Sequence, residues 1–276
     1  MEIQMDGAKS KLILDDDRPG RVRVDINGGV GWIELDNVRK RNAISLAMWR
    51  TLKNELDRLR DDDNIRCVVI YGRGEKAFCS GADVAEKQGN DKSTTSADAD
   101  VALPTLRALQ EFSKPTIAMI SGYCLGAGAA IALACDLRIV GESASFGIPA
   151  ARLGLAYYYC LAKRLTEVVG PSKAKEIIFT ADRYDANKAL RMGLVNEVIR
   201  TSELRETVGE TALRIARNAP LTVQAAKQAI ETAVSDAPIR DIARCNERER
   251  ACLESEDYAE GRRAFAEKRD PVFQGR

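Results

Sequence analysis

Two short glycine-rich runs, each set directly after an apolar strand-like segment, constrain this chain more than anything else in it. The first is Phe78-Cys79-Ser80-Gly81-Ala82-Asp83, downstream of Cys67-Val68-Val69-Ile70-Tyr71. The second is Ser121-Gly122-Tyr123-Cys124-Leu125-Gly126-Ala127-Gly128, downstream of Thr116-Ile117-Ala118-Met119-Ile120. The second run opens into a small-residue helix, Ala129–Ala134, that closes on Cys135-Asp136. Glycine lets a backbone adopt positive φ and approach another group closely. Two such turns can aim free N–H groups at a single oxygen atom. A fold that accommodates them alternates strands with helices, which implies an α/β core.

The rest of the chain fits that reading. Val22–Leu35 alternates apolar and polar residues about Asn27-Gly28-Gly29, a hairpin pattern. Ser45 to Asp61 has helical spacing at Leu46, Trp49, Leu52, Leu56 and Leu59. Residues 87–100 are polar and weakly patterned and read as a mobile segment over the site; a helix is expected from Leu103 to Phe112. Leu137–Val140 reads as another strand. Past Asn196 the pattern is helical, with helices expected over 203–218, 221–235, 239–252 and 257–268. Three stretches result: an N-terminal extension over 1–20, a core over 21–200 and a helical region over 201–276. The extension is polar, lacks the apolar centre of a signal peptide and reads as mobile.

Composition matters mainly for what it excludes. With 42 Lys and Arg against 41 Asp and Glu, the net charge is +1, so no global field favours nucleic acid or an anionic membrane. No apolar run is long enough to span a bilayer. There is no histidine, which removes histidine-based triads and histidine metal sites; no metal is expected. Seven cysteines without paired spacing suggest reduced thiols and a cytoplasmic location. Cys79 and Cys124 lie near the glycine runs, but neither has an evident cationic neighbour to activate it, so both read as packing residues.

The two loops, in this order and spacing, resemble the crotonase (enoyl-CoA hydratase/isomerase) superfamily. Arg41-Asn42-Ala43 is similar to an early family motif, the segment from Ala181 to Asn196 to a second, and Ala264-Phe265-Ala266-Glu267-Lys268-Arg269 to the last helix. The resemblance runs from about residue 22 to the end. It implies a spiral ββα core with a helical C-terminal trimerisation region, and assembly as a homotrimer or dimer of trimers. It implies an acyl-CoA substrate, with coenzyme A entering as part of the thioester and no permanently bound cofactor. It implies that the N–H groups of Ala82 and Ala127 form an oxyanion hole, and that Ser80, Asp83, Val84 and Gly126 line the substrate path. Asp83 is also suited to cap a following helix. Arg39 and Lys268 stand where the family approaches CoA, or are solvated surface charges.

Two departures set this chain apart. Hydratases of the family carry one glutamate at the position of Ala130 and another at that of Ala150, just after Phe146-Gly147-Ile148-Pro149. A backbone oxyanion hole survives these replacements; a pair of proton-exchanging side chains does not. Glu86 and Asp182 are the carboxylates weighed as substitutes. The chain also resembles the methylmalonyl-CoA decarboxylase branch, which lacks the second glutamate and has a functional tyrosine where Tyr157 stands, although that branch carries a histidine in place of Ala82. Tyr157 therefore serves as a catalytic phenol, or Tyr157-Tyr158-Tyr159 packs as an aromatic wall. Arg152 pairs with a substrate carboxylate or with a surface acid. A catalytically silent CoA-binding subunit is the reading from outside the enzyme class.

Overall fold

The computed structural model describes residues 19–83 and 94–276, with side chains described from residue 99 onward in the second stretch. Most of the expected N-terminal extension, residues 1–18, lies outside the described residues, as do residues 84–93.

The expected hairpin is formed by β1 (Arg21–Asn27) and β2 (Val30–Asp36), antiparallel, with Asn27 opposite Val30. Helix α1 (Leu46–Asp61) follows. Ser45 caps it by accepting from the Met48 N–H, and the recurrence of Met48, Trp49, Leu52, Leu56 and Leu59 buries one face. Then come β3 (Cys67–Gly72), β4 (Ala77–Cys79), α2 (Thr94–Gln110), β5 (Thr116–Ile120), β6 (Tyr123–Leu125), α3 (Ala127–Ala134), β7 (Leu137–Gly141) and β8 (Ser145–Gly147). The second half holds α4 (Tyr159–Thr180), β9 (Arg183–Asp185), α5 (Ala186–Arg191), β10 (Glu197–Ile199), α6 (Leu204–Arg217), α7 (Pro220–Val234), α8 (Ile242–Glu254) and α9 (Glu256–Glu267).

These strands make two sheets. The larger has the order β1-β2-β3-β5-β7-β10 and the smaller β4-β6-β8-β9. Each pass of the chain lays one strand in the larger sheet and the next in the smaller: β3 then β4, β5 then β6, β7 then β8. Pairing within each series is parallel. The result is a spiral of ββα turns. Strand β3 is apolar throughout because both of its faces are covered. Val68 and Ile70 join the core beneath α1 and α3, while Cys67 and Val69 join a second core beneath α6.

One expectation requires correction. Residues 94–100 belong to α2, which begins at Thr94, well before Leu103, and continues through Pro104; the helix as a whole packs against α1 and α3. Helix α4, an element not expected from the sequence, is two helical stretches joined end to end. Gly170, at φ 76°, and Pro171 interrupt its periodicity with a kink. The C-terminal helices match their expected spans within a few residues. Among the described residues, no helix is long and apolar enough to cross a membrane.

Candidate active site

The site is built from the ends of two neighbouring strands of the smaller sheet. Strand β4 runs into Ser80-Gly81-Ala82, and β6 runs into Gly126 and the first turn of α3. Gly126 has φ 52° and ψ −113°, a conformation closed to L side chains. A Cβ on Gly126 would lie 3.8 Å from the Gly81 Cα, so the two turns touch. A Cβ on Gly128 would sit 2.2 Å from the Cys79 carbonyl oxygen; only glycine lets α3 start this close to β4.

Backbone bookkeeping at these turns leaves two donors over. Ala82 forms an isolated parallel bridge with Ile44. The Ile44 N–H donates to the Gly81 carbonyl and the Asp83 N–H to the Ile44 carbonyl, both at 2.9 Å. The bridge therefore uses the groups on either side of the Ala82 N–H, which has no acceptor among the described residues. Ala127 is the first residue of α3, where an N–H has no intrahelical acceptor. The first such bond of the helix runs from the Ala130 N–H to the Gly126 carbonyl at 3.0 Å. The Ala127 N–H thus also has no acceptor among the described residues, and it lies at the positive end of the helix dipole.

The early Arg41-Asn42-Ala43 motif has a structural explanation. Arg41 and Asn42 both adopt left-handed backbone, at φ 53° and 56°. Asn42 is buried, and its Nδ2 donates to the carbonyls of Ala77 (2.7 Å) and Arg73 (3.0 Å). Its Oδ1 accepts from the Asn37 N–H at 3.0 Å. One side chain thereby ties the preceding turn to the start of β4. The Ser80 Oγ donates to the Lys40 carbonyl at 3.0 Å, which adds a second tie.

The expected binding residues fall into distinct settings. Asp83 is 8% exposed, and its carboxylate takes both oxygens to Lys40 Nζ, at 2.7 and 3.0 Å. Lys40 is not legible as a site residue in the sequence; an ion pair across 43 residues leaves no local trace beyond the basic run Arg39-Lys40-Arg41. Arg39 is exposed in the short turn Val38–Lys40. Val84 lies outside the described residues, as do Glu86 and the helix that Asp83 was expected to cap. Arg152 and Asp182 are both exposed and paired with each other at 2.8 Å. This is the surface pairing weighed for Arg152, and it engages the Asp182 carboxylate as well. Lys268 is exposed at the C-terminal end of α9, in left-handed backbone at φ 55°.

Ala130 and Ala150, where the family resemblance would place glutamates, lie beside the loops. Ala130 is buried in α3. Ala150 is half-buried in the turn Pro149–Leu153, and Pro149 Cδ comes within 4.0 Å of where a Gly126 Cβ would stand. Tyr157, Ala127 and Ala150 are all partly buried against the same large apolar core, which also contains Ala129, Ala130 and Ile148. Its hydroxyl is buried and makes no hydrogen bond, the only side-chain N or O in that state among the described residues. Burial raises its pKa above the usual phenol value, with the neighbouring Cys160 adding to the effect, so it is a proton carrier at neutral pH. Tyr158 and Tyr159 are exposed. Burial pushes the Cys79 thiol up to about 12 and the Cys124 thiol well above its ordinary value, which leaves both protonated.

With this geometry in view, comparison with known proteins gives one consistent picture. The sequence pattern of the enoyl-CoA hydratase/isomerase family matches residues 25–276. A short-chain-enoyl-CoA hydratase of Clostridium acetobutylicum is 34% identical over 242 residues, covering 88% of this chain and 93% of that protein. A carnitinyl-CoA dehydratase of Salmonella heidelberg is 38% identical over 263 residues, covering 91% and 97%. The crystal structure of an enoyl-CoA hydratase from Bacillus anthracis superposes with a TM-score of 0.86 at 34% identity, covering 93% of this chain and all of that one. The expected spiral α/β fold with a helical C-terminal region holds. The chain is a member of the enoyl-CoA hydratase/isomerase family, within the crotonase superfamily of acyl-CoA enzymes.

Proposed function

We propose that this protein stabilises the enolate of an acyl-CoA thioester between the N–H groups of Ala82 and Ala127, and that it does so without the two-carboxylate machinery of hydration. The observation that carries the reading is the pair of acceptor-free N–H groups on touching turns, flanked by alanine at 130 and 150. Negative charge that develops on the thioester oxygen meets two preorganised donors, one of them at a helix start. Neither alanine can take a proton from water or return one to carbon.

A reaction that needs little acid–base help suits such a site. In the decarboxylation of a malonyl-type thioester, the bond between the α-carbon and the carboxylate breaks, CO2 leaves, and the electron pair enters the enolate. The α-carbon then takes one proton. The buried Tyr157 hydroxyl, which has no partner, favours this second and more specific reading: in it, the phenol orients the departing carboxylate or supplies the proton, and recovers it from water. Coenzyme A is part of the substrate in both readings. Ser80, Asp83 and Gly126 shape its path, and Lys40 holds Asp83 in place.

The test is a mass-spectrometric assay of crotonyl-CoA and methylmalonyl-CoA side by side. Loss of CO2 from methylmalonyl-CoA supports the decarboxylase reading. Gain of water by crotonyl-CoA, at the rate of a hydratase, would overturn the exclusion of hydration. Binding of CoA with no change in either thioester would favour a silent CoA-binding protein.

A further inference from the structure

Helix α3 is held at its far end by two arginines from other elements. Arg138, in β7, is 6% exposed. Its Nε donates to the Leu194 carbonyl at 2.8 Å, and its Nη1 donates to the carbonyls of Cys135 (2.8 Å) and Ala132 (3.3 Å). Arg164, in α4, donates from Nε to the Leu133 carbonyl at 2.9 Å. Its Nη1 stands 3.6 Å from both Glu167 and Glu231, the latter on α7. Carbonyls that a helix of this length leaves unsatisfied at its C-terminus are thus taken up by two guanidinium groups.

A buried guanidinium is costly unless its surroundings compensate it. The compensation at Arg138 comes from carbonyls at the negative end of α3, whose residues Gly128–Ala134 are all buried. An eight-residue helix is only about 12 Å long. A displacement or a charge at one end is therefore felt at the other, with little water between to screen it. The start of α3 has no slack either, because Gly128 abuts the Cys79 carbonyl.

We infer that Arg138 and Arg164 are positioning residues for the second oxyanion donor. They fix the axis of α3 against β4 and keep the Ala127 N–H aimed at the thioester oxygen. The positive charge of Arg138, which donates to carbonyls, adds to the positive potential at the N-terminal end, where the enolate oxygen forms; Arg164, set between two glutamates, acts through its hold on the helix. Through the Arg164–Glu231 contact, α7 also bears on this alignment. The inference rests on the enolate-stabilising reading above.

The test uses crotonyl-CoA labelled with carbon-13 at the thioester carbonyl, observed by difference infrared spectroscopy when bound to the full chain. The wild type lowers the carbonyl stretching frequency. Arg138→Met and Arg164→Met are each expected to return at least half of that shift. They keep affinity for free CoA within about twofold, and for any thioester turned over they lower kcat about tenfold with KM unchanged. Arg138→Lys, which keeps the charge but not the fork, restores part of the shift. Arg164 is the less buried of the two arginines, so Arg164→Met carries the test if Arg138→Met does not fold. A wild-type frequency in the Met variants overturns the inference. So does a loss of shift that only tracks loss of CoA binding and of melting temperature. Absence of any shift in the wild type would instead overturn the oxyanion reading, and this inference with it.

Discussion

At the scale of single residues, the orphaned Tyr157 hydroxyl makes the sharpest prediction. A buried polar group without a partner costs about 1–3 kcal/mol. Tyr157→Phe is therefore expected to leave stability unchanged or raise it by about 1 kcal/mol in thermal unfolding, while turnover of a malonyl-type thioester falls about a hundredfold. Stability gained with turnover intact would sink the catalytic role for the phenol. What the sequence discloses at this scale depends on the kind of constraint. Gly81, Gly126 and Gly128 are legible because backbone conformation and close approach demand glycine in place. Lys40 is not, since its partner Asp83 is distant in sequence. The alternatives for Arg152 become distinct only when Asp182 is brought to it by the β8–β9 pairing.

Elements set the next level. Gly128→Ala drives a Cβ onto the Cys79 carbonyl, 2.2 Å away by the present geometry, and must push α3 off β4. The expected cost is about 1–3 kcal/mol in chemical denaturation; an unchanged denaturation midpoint would contradict the packing described. The core around these elements carries a pH signature. Cys67, Cys79 and Cys135 are buried with thiols pushed up to about 12, from an unfolded value of 9.0. A raised value means that the folded state holds its proton more tightly than the unfolded state. Their contribution to stability is therefore complete below pH 9 and is lost progressively as pH rises toward 12. Cys79→Ala is expected to flatten this alkaline fall, as read by denaturation at pH 8 and pH 10.5; an unaltered slope would refute it. Strand–turn–helix succession was readable here from apolar runs and glycine. The early start of α2 was not, because residues 94–100 are mostly polar and carry no helical period of apolar residues. Nor were the three-residue strands of the smaller sheet, too short to show a period.

For the whole molecule, the spiral topology cannot be read from local pattern; it was expected from resemblance and is seen in the strand orders of the two sheets. The C-terminal region leaves Phe265 87% exposed, Ile239 68% and Ile242 61%. We propose that these side chains are covered by other copies in a homotrimer or dimer of trimers. Sedimentation is expected to show a trimer or hexamer that Phe265→Glu weakens; a monomer at micromolar concentration would contradict this. The central claim concerns the two backbone donors, and one variant addresses it without touching a side chain that does chemistry. Ala127→Pro removes the N–H at the first position of α3, where proline suits helical geometry. The decisive measurement is turnover of the active thioester, by mass spectrometry, in the wild type and in Ala127→Pro at matched melting temperature. The account predicts a loss of at least about a hundredfold, the usual effect of removing an oxyanion donor. Turnover within a few-fold of the wild type would contradict it.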